Sequence, residues 1–145
     1  MRRHLLPVAV AAALFGCSTA EESQIRGVSV DLEEEDQVPR CGRAGLHAEA
    51  DGTVGANPTT RVVSIELSYE GLSSALTGVH LHAGGRSETG TELAGFALSD
   101  SPIRATVTLE QAAFDAFLEA LDAGRVYIDL HTASCPAGAL RAQVY

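Results

Sequence analysis

Between residues 61 and 69 every second side chain is apolar: Val63, Ile65 and Leu67 alternate with Ser64, Glu66 and Ser68. That is the period of an extended strand with one face on a core and the other in water. The same period returns at Val126, Ile128 and Leu130. Together with shorter apolar runs bounded by turn residues, it predicts strands over 44–50, 61–69, 78–83, 91–98, 103–107, 125–131 and 139–145. Asn57-Pro58, Gly84-Gly85 and Pro136-Ala137-Gly138 mark turns between them. One segment changes period: Phe114, Phe117, Leu118 and Leu121 recur at helical spacing and Gly124 closes the run. Thr108 and Gln111 stand where a capping box would place them, so a helix is expected over 109–122. The expectation is a mainly β, antiparallel sandwich with one short helix packed on it.

The region before these strands has a different character. Met1-Arg2-Arg3-His4 is basic, residues 5–15 are apolar, and Gly16-Cys17 follows. An apolar run this short falls well below the roughly 20 residues that span a bilayer as a helix, so it reads as an export signal over 1–16. A small residue followed by Cys resembles the lipobox of bacterial lipoproteins, which implies cleavage before Cys17 and acylation of its thiol. Several acyl chains make a lasting anchor where one does not. Ser18 in place of Asp after that Cys points, by the same resemblance, to the outer membrane. Cleavage after Ala20, releasing a soluble protein, is the alternative. Residues 17–40 carry Glu21, Glu22, Asp31, Glu33, Glu34, Glu35 and Asp36 against Arg26 and Arg40. Self-repulsion and few large apolar residues give the expectation of a disordered acidic tether. The folded domain is then 41–145.

With Cys17 consumed by lipid, Cys41 and Cys135 remain as an even pair. In an oxidising compartment a disulfide is expected between them, with two buried thiols as the alternative. Closing so long a loop contributes about 4 to 5 kcal/mol in the chain-entropy description.

The net charge of −9 and the lack of any lysine argue against nucleic acid as a partner, because phosphate binding needs clustered cations. Arg61, Arg86, Arg104, Arg125 and Arg141 are scattered singly and are expected in solvent or beside local carboxylates. Ser64, Ser68, Ser73 and Ser74 have no nucleophile-elbow context. Glu88 and Glu92 lie near a loop, but two carboxylates at arbitrary spacing do not make a glycosidase. No enzyme is expected.

Three segments in order carry a family resemblance. Gly78-Val79-His80-Leu81-His82-Ala83 is followed by 121–132, which contains Gly124-Arg125-Val126-Tyr127-Ile128-Asp129-Leu130-His131-Thr132. Pro136-Ala137-Gly138-Ala139-Leu140-Arg141-Ala142-Gln143-Val144 is the third. This order resembles the CHRD (chordin-type) domain over about 43–145. The resemblance implies an immunoglobulin-like β-sandwich outside the cytoplasm, with a binding or structural role, an unidentified protein partner and no catalytic activity. Ala139 and Ala142 replace the Glu and Gly usual in the last strand, and Asp129 stands where Asn is common.

His80 and His82 are two apart and so share a strand face, as do Tyr127, Asp129 and His131. The plainer expectation is structural, with His80 and His82 holding the turn at Gly84-Gly85 through backbone carbonyls and His131 ending its strand in the same way. If the two faces align, His80, His82, His131 and Asp129 converge as a site for copper or zinc, which take several imidazoles. His47 is expected to be exposed and apart. A superoxide dismutase-like reading of the H-x-H strand is weaker, because the sequence lacks the second His and Asp cluster of a paired metal site.

Overall fold

The computed structural model describes residues 26–145. The expected signal over 1–16, the lipidation site Cys17 and the first part of the tether lie outside the described residues. Eight strands form two four-stranded antiparallel sheets that pack as a sandwich. In chain order they are β1 Arg26–Leu32, β2 Glu49–Asn57, β3 Val62–Glu70, β4 Leu76–Ala83, β5 Thr91–Gly95, β6 Ile103–Thr108, then helix α1 Gln111–Asp122, then β7 Val126–Thr132 and β8 Cys135–Val144. One sheet has the order β1-β2-β3-β6 and the other β5-β4-β7-β8. The expected antiparallel sandwich with one short helix is the fold.

The alternations read from the sequence face the core. Val63, Ile65 and Leu67 of β3 are buried there, and so are Val126, Ile128 and Leu130 of β7. Phe114 and Phe117 anchor α1 to the sandwich. Cys41 and Cys135 are joined by a disulfide with their Cα atoms 5.7 Å apart.

The tether reading is corrected from residue 26 onward. Val28, Val30 and Leu32 turn inward from β1, with Val30 and Leu32 fully buried, while Ser29 and Asp31 face water. Three alternating apolar side chains outweigh the repulsion, because the acidic groups between them stay solvated. β1 pairs along its length with β2, and beyond it Glu33 exchanges two backbone hydrogen bonds of 3.0 Å with Arg141 of β8. The buried Gln37 donates to the Ala137 carbonyl at 3.0 Å. The domain therefore does not begin at Cys41.

Other boundaries also move. No strand forms over 44–48, where His47 takes a left-handed φ of 65° and the backbones of Gly45 and His47 press on that of Gly71. The capping box does not form: Thr108 ends β6 opposite Val62, Leu109 N–H still bonds the Arg61 carbonyl at 3.0 Å, and the N-cap is Glu110 without a side-chain bond. The last turn lies at Ala133-Ser134, so Pro136-Ala137-Gly138 runs inside β8. β5 stops at Gly95 and not at 98.

The second sheet is buried on both faces near β7 and β8. Every residue from Val126 to Leu130, and from Gly138 to Val144, is buried. The outer layer consists of Tyr127, Asp129, Arg141 and Gln143, covered by the 84–90 loop. Arg141 donates to the carbonyls of Glu88 (2.8 Å) and Gly85 (2.6 Å), and Gln143 donates to those of Gly84 (2.8 Å) and Gly124 (3.0 Å). That covered layer forms one wall of the site.

Candidate metal centre

β4 and β7 are direct neighbours, with His80 opposite Asp129, His82 opposite Tyr127 and Gly78 opposite His131. Residues opposite each other share a face, so the two histidine-bearing faces meet. His80, His82, Asp129 and His131 each offer one ligand atom, and these atoms all lie within 4.8 Å of one another. The four could hold a metal ion. The ladders are irregular around them, with register shifts at Leu76/Gly78, Leu81/His82 and Leu130/Thr132. Such bulges bend a strand and re-aim side chains beside a site.

The protonation pattern follows from the hydrogen bonds. His82 Nδ1 lies 3.2 Å from the Gly90 carbonyl and His131 Nδ1 lies 3.0 Å from the Pro136 carbonyl. A carbonyl can only accept, so both Nδ1 atoms carry the proton, and in a neutral ring each Nε2 presents a lone pair. Those two Nε2 atoms stand 3.3 and 3.0 Å from one oxygen, Oδ1 of Asp129. All three atoms are buried and lack an aligned hydrogen-bond partner. Three electron-rich atoms facing one another need a positive charge among them, either protons on the imidazoles or a metal ion. The donor set suits a divalent ion that accepts imidazole and carboxylate, and the outer carbonyls orient the rings as second partners do in metal sites.

The electrostatics agree. Burial alone would raise the pKa of Asp129, but the two imidazoles beside it hold it below the usual carboxylate value. His131 is raised chiefly by the Asp129 carboxylate facing its Nε2, against burial, and at His82 burial is the largest single influence but is outweighed by Asp129, the Gly90 carbonyl and Glu92 together. His80 is lowered by burial and by the neighbouring His131.

His80 and His82 do not hold the Gly84-Gly85 turn as expected. That turn is held by Arg141 and Gln143, and only His82 reaches a loop carbonyl. His131 does bond a carbonyl past its strand end, as expected. His47 is exposed and outside the cluster. Arg141 is not a solvated cation but is 1% exposed, with its guanidinium 3.5 Å from the centre of the Tyr127 ring. Tyr127 in turn stacks on His82 with centroids 4.9 Å apart and planes 4° from parallel. Sequence periodicity places Tyr127 on this face, but nothing in it marks the Gly90 and Pro136 carbonyls or the stack. Arg86, Arg104 and Arg125 do pair with Asp36, Glu66 and Glu88. A surface cavity of about 590 Å³ beside Arg43, Leu46 and Ser134 lies apart from the histidines and gathers no comparable donors.

The family model described as the CHRD domain matches residues 28–144. No curated protein and no solved structure matches the chain.

Proposed function

The chain belongs to the CHRD domain family, and we propose that this member is a non-enzymatic, exported domain that binds a divalent metal ion, Cu(II) or Zn(II), through His80, His82, Asp129 and His131. One observation carries the reading: two Nε2 atoms of fixed tautomer and a buried carboxylate oxygen converge with no aligned partner. Lipidation at Cys17 would hold the domain at the outer membrane, with residues 18–25 as spacer. The Cys41–Cys135 disulfide fits an oxidising compartment.

A second reading is a binding or structural domain in which protons take the place of the metal. The raised pKa values of His82 and His131 favour it, since two imidazolium ions would satisfy Asp129. The two readings separate in one experiment. Protein made without a histidine tag should carry close to one equivalent of copper or zinc, and metal at a hundredfold over Kd should stabilise it by about 2.7 kcal/mol. The triple variant His80→Ala, His82→Ala, His131→Ala should lose both effects. No bound metal and no rise in melting temperature would leave the proton-filled reading standing. Intact mass of the exported protein tests the anchor: a species beginning at Glu21 without acyl chains would refute it.

A further inference from the structure

The four donors are not held alike. His82 and His131 are each fixed at Nδ1 by a backbone carbonyl, and Asp129 is 3% exposed between them. His80 is half-buried and its ring makes no hydrogen bond among the described residues. Its ring rests in the space left by two glycines: a Cβ on Gly78 would lie 2.7 Å from its Cε1, and one on Gly95 would lie 3.3 Å from its Cδ2. Ring contacts with His131, at 4.8 Å between centroids, and with His82, at 5.9 Å, are its other restraints.

Beside it stands a carboxylate placed by a bulge. Leu81 pairs with Ala94 but His82 pairs with Glu92, so Leu93 is the extra residue and Glu92 is turned onto the histidine face. Glu92 is exposed and its carboxylate makes no hydrogen bond or ion pair among the described residues. Its Oε1 lies 3.2 Å from the same absent Gly95 Cβ that the His80 ring approaches. The site thus has a buried side whose rings are held by backbone carbonyls and an open side where one imidazole without a hydrogen bond and one solvated carboxylate meet solvent.

We propose that His80 and Glu92 form the exchange edge of the metal site, where Cu(II) or Zn(II) is captured from solution and released as cargo by stepwise replacement of one donor by another. The proposal rests on the metal-binding reading above. The ion keeps its charge throughout, because each step forms one coordinate bond and breaks another. Glu92 meets the hydrated ion, His80 swings to take it, and the fixed trio of His82, His131 and Asp129 completes its binding. Release runs in reverse, with His80 the first ring to let go.

The test is stopped-flow measurement of Zn(II) and Cu(II) binding to the whole domain, and of removal by excess chromophoric chelator, beside equilibrium competition. Glu92→Gln should slow both capture and release about fivefold or more while Kd stays within about threefold. Glu119→Gln, which removes the same charge on α1, should leave both rates near wild type. His80→Ala should weaken binding about tenfold and His131→Ala about a hundredfold, the low and high ends of what removing even an outer partner of a metal site costs. Glu92→Gln rates equal to wild type, or equal losses for His80→Ala and His131→Ala, would overturn the exchange edge and leave metal binding intact. Wild-type protein that takes up neither ion would overturn both.

Discussion

Arg141→Met is the substitution that most directly tests how the outer layer supports the site. Arg141 is buried, and its two guanidinium hydrogen bonds of 2.6 and 2.8 Å close the 84–90 loop over the sheet. Hydrogen bonds from a charged donor contribute roughly 1.5 to 3 kcal/mol each, and a desolvated cation over an aromatic ring about 2 kcal/mol. Against them stands the cost of burying the guanidinium, several kcal/mol, which Met does not incur. The net loss should be about 2 to 4 kcal/mol, with the Glu88 carbonyl left without its Arg141 donor and the Gly85 carbonyl keeping only the Glu88 N–H. For a domain of this size that lowers the melting temperature by about 10 °C. The effect should reach the histidines, because the same loop carries the Gly90 carbonyl that fixes His82 and the Gly90 N–H that bonds the Tyr127 hydroxyl at 3.0 Å. Amide exchange should quicken across 84–90 first, and metal affinity should fall about tenfold. Arg141→Lys should recover little of this, since an ammonium cannot span both carbonyls and lie flat on the ring. A Met variant within about 0.5 kcal/mol of wild type, with unchanged loop exchange, would show that the layer does not depend on this cation.

Three further outcomes are expected. Reducing the Cys41–Cys135 bond, which closes a separation of 94 residues, should cost about 4 to 5 kcal/mol in urea denaturation and weaken metal binding, because Cys135 precedes the Pro136 carbonyl that holds His131; an unchanged midpoint would refute this. Gly78→Ala should expel the His80 ring, reproducing the affinity loss of His80→Ala with little loss of stability; full affinity would show that the glycine floor is unnecessary. Metal-free protein should lose stability as pH rises: the raised pKa values of His82 and His131 contribute stability that is complete below the unfolded value near 6.5 and vanishes through their folded values. His80, lowered, contributes in the opposite direction as pH falls, but is one group against two. Metal-loaded protein should instead gain stability with pH, since the ion needs neutral rings. Urea melts from pH 5.5 to 8.5 check this, and metal-free stability that climbs throughout would contradict it.

What the sequence makes legible here is whatever depends on side-chain period alone. Val63, Ile65 and Leu67 declare a core face, and His80 with His82, like Asp129 with His131, declare a shared one, because two residues apart on a strand means the same side. Pairing between β4 and β7 is not local information. The whole of β5, β6 and α1 intervenes in the chain, and the contact exists because the sandwich returns β7 to the second sheet. Period also misleads where charge is dense. Val28, Val30 and Leu32 alternate as cleanly as the residues of β3, yet the surrounding carboxylates suggest a solvated tether. Burial is decided by the inward face and is indifferent to the outward one. Arg141 shows the converse. Its place on the outward face predicts solvent, and only the loop folded over that face makes it buried. The bulge at Leu93 is the least legible feature of all. A strict alternation carried back from Gly95 puts Leu93, not Glu92, beside the histidines, and a single unpaired residue reverses that. The chemistry at the rim of the centre therefore depends on a ladder irregularity that no count of polar and apolar positions reveals.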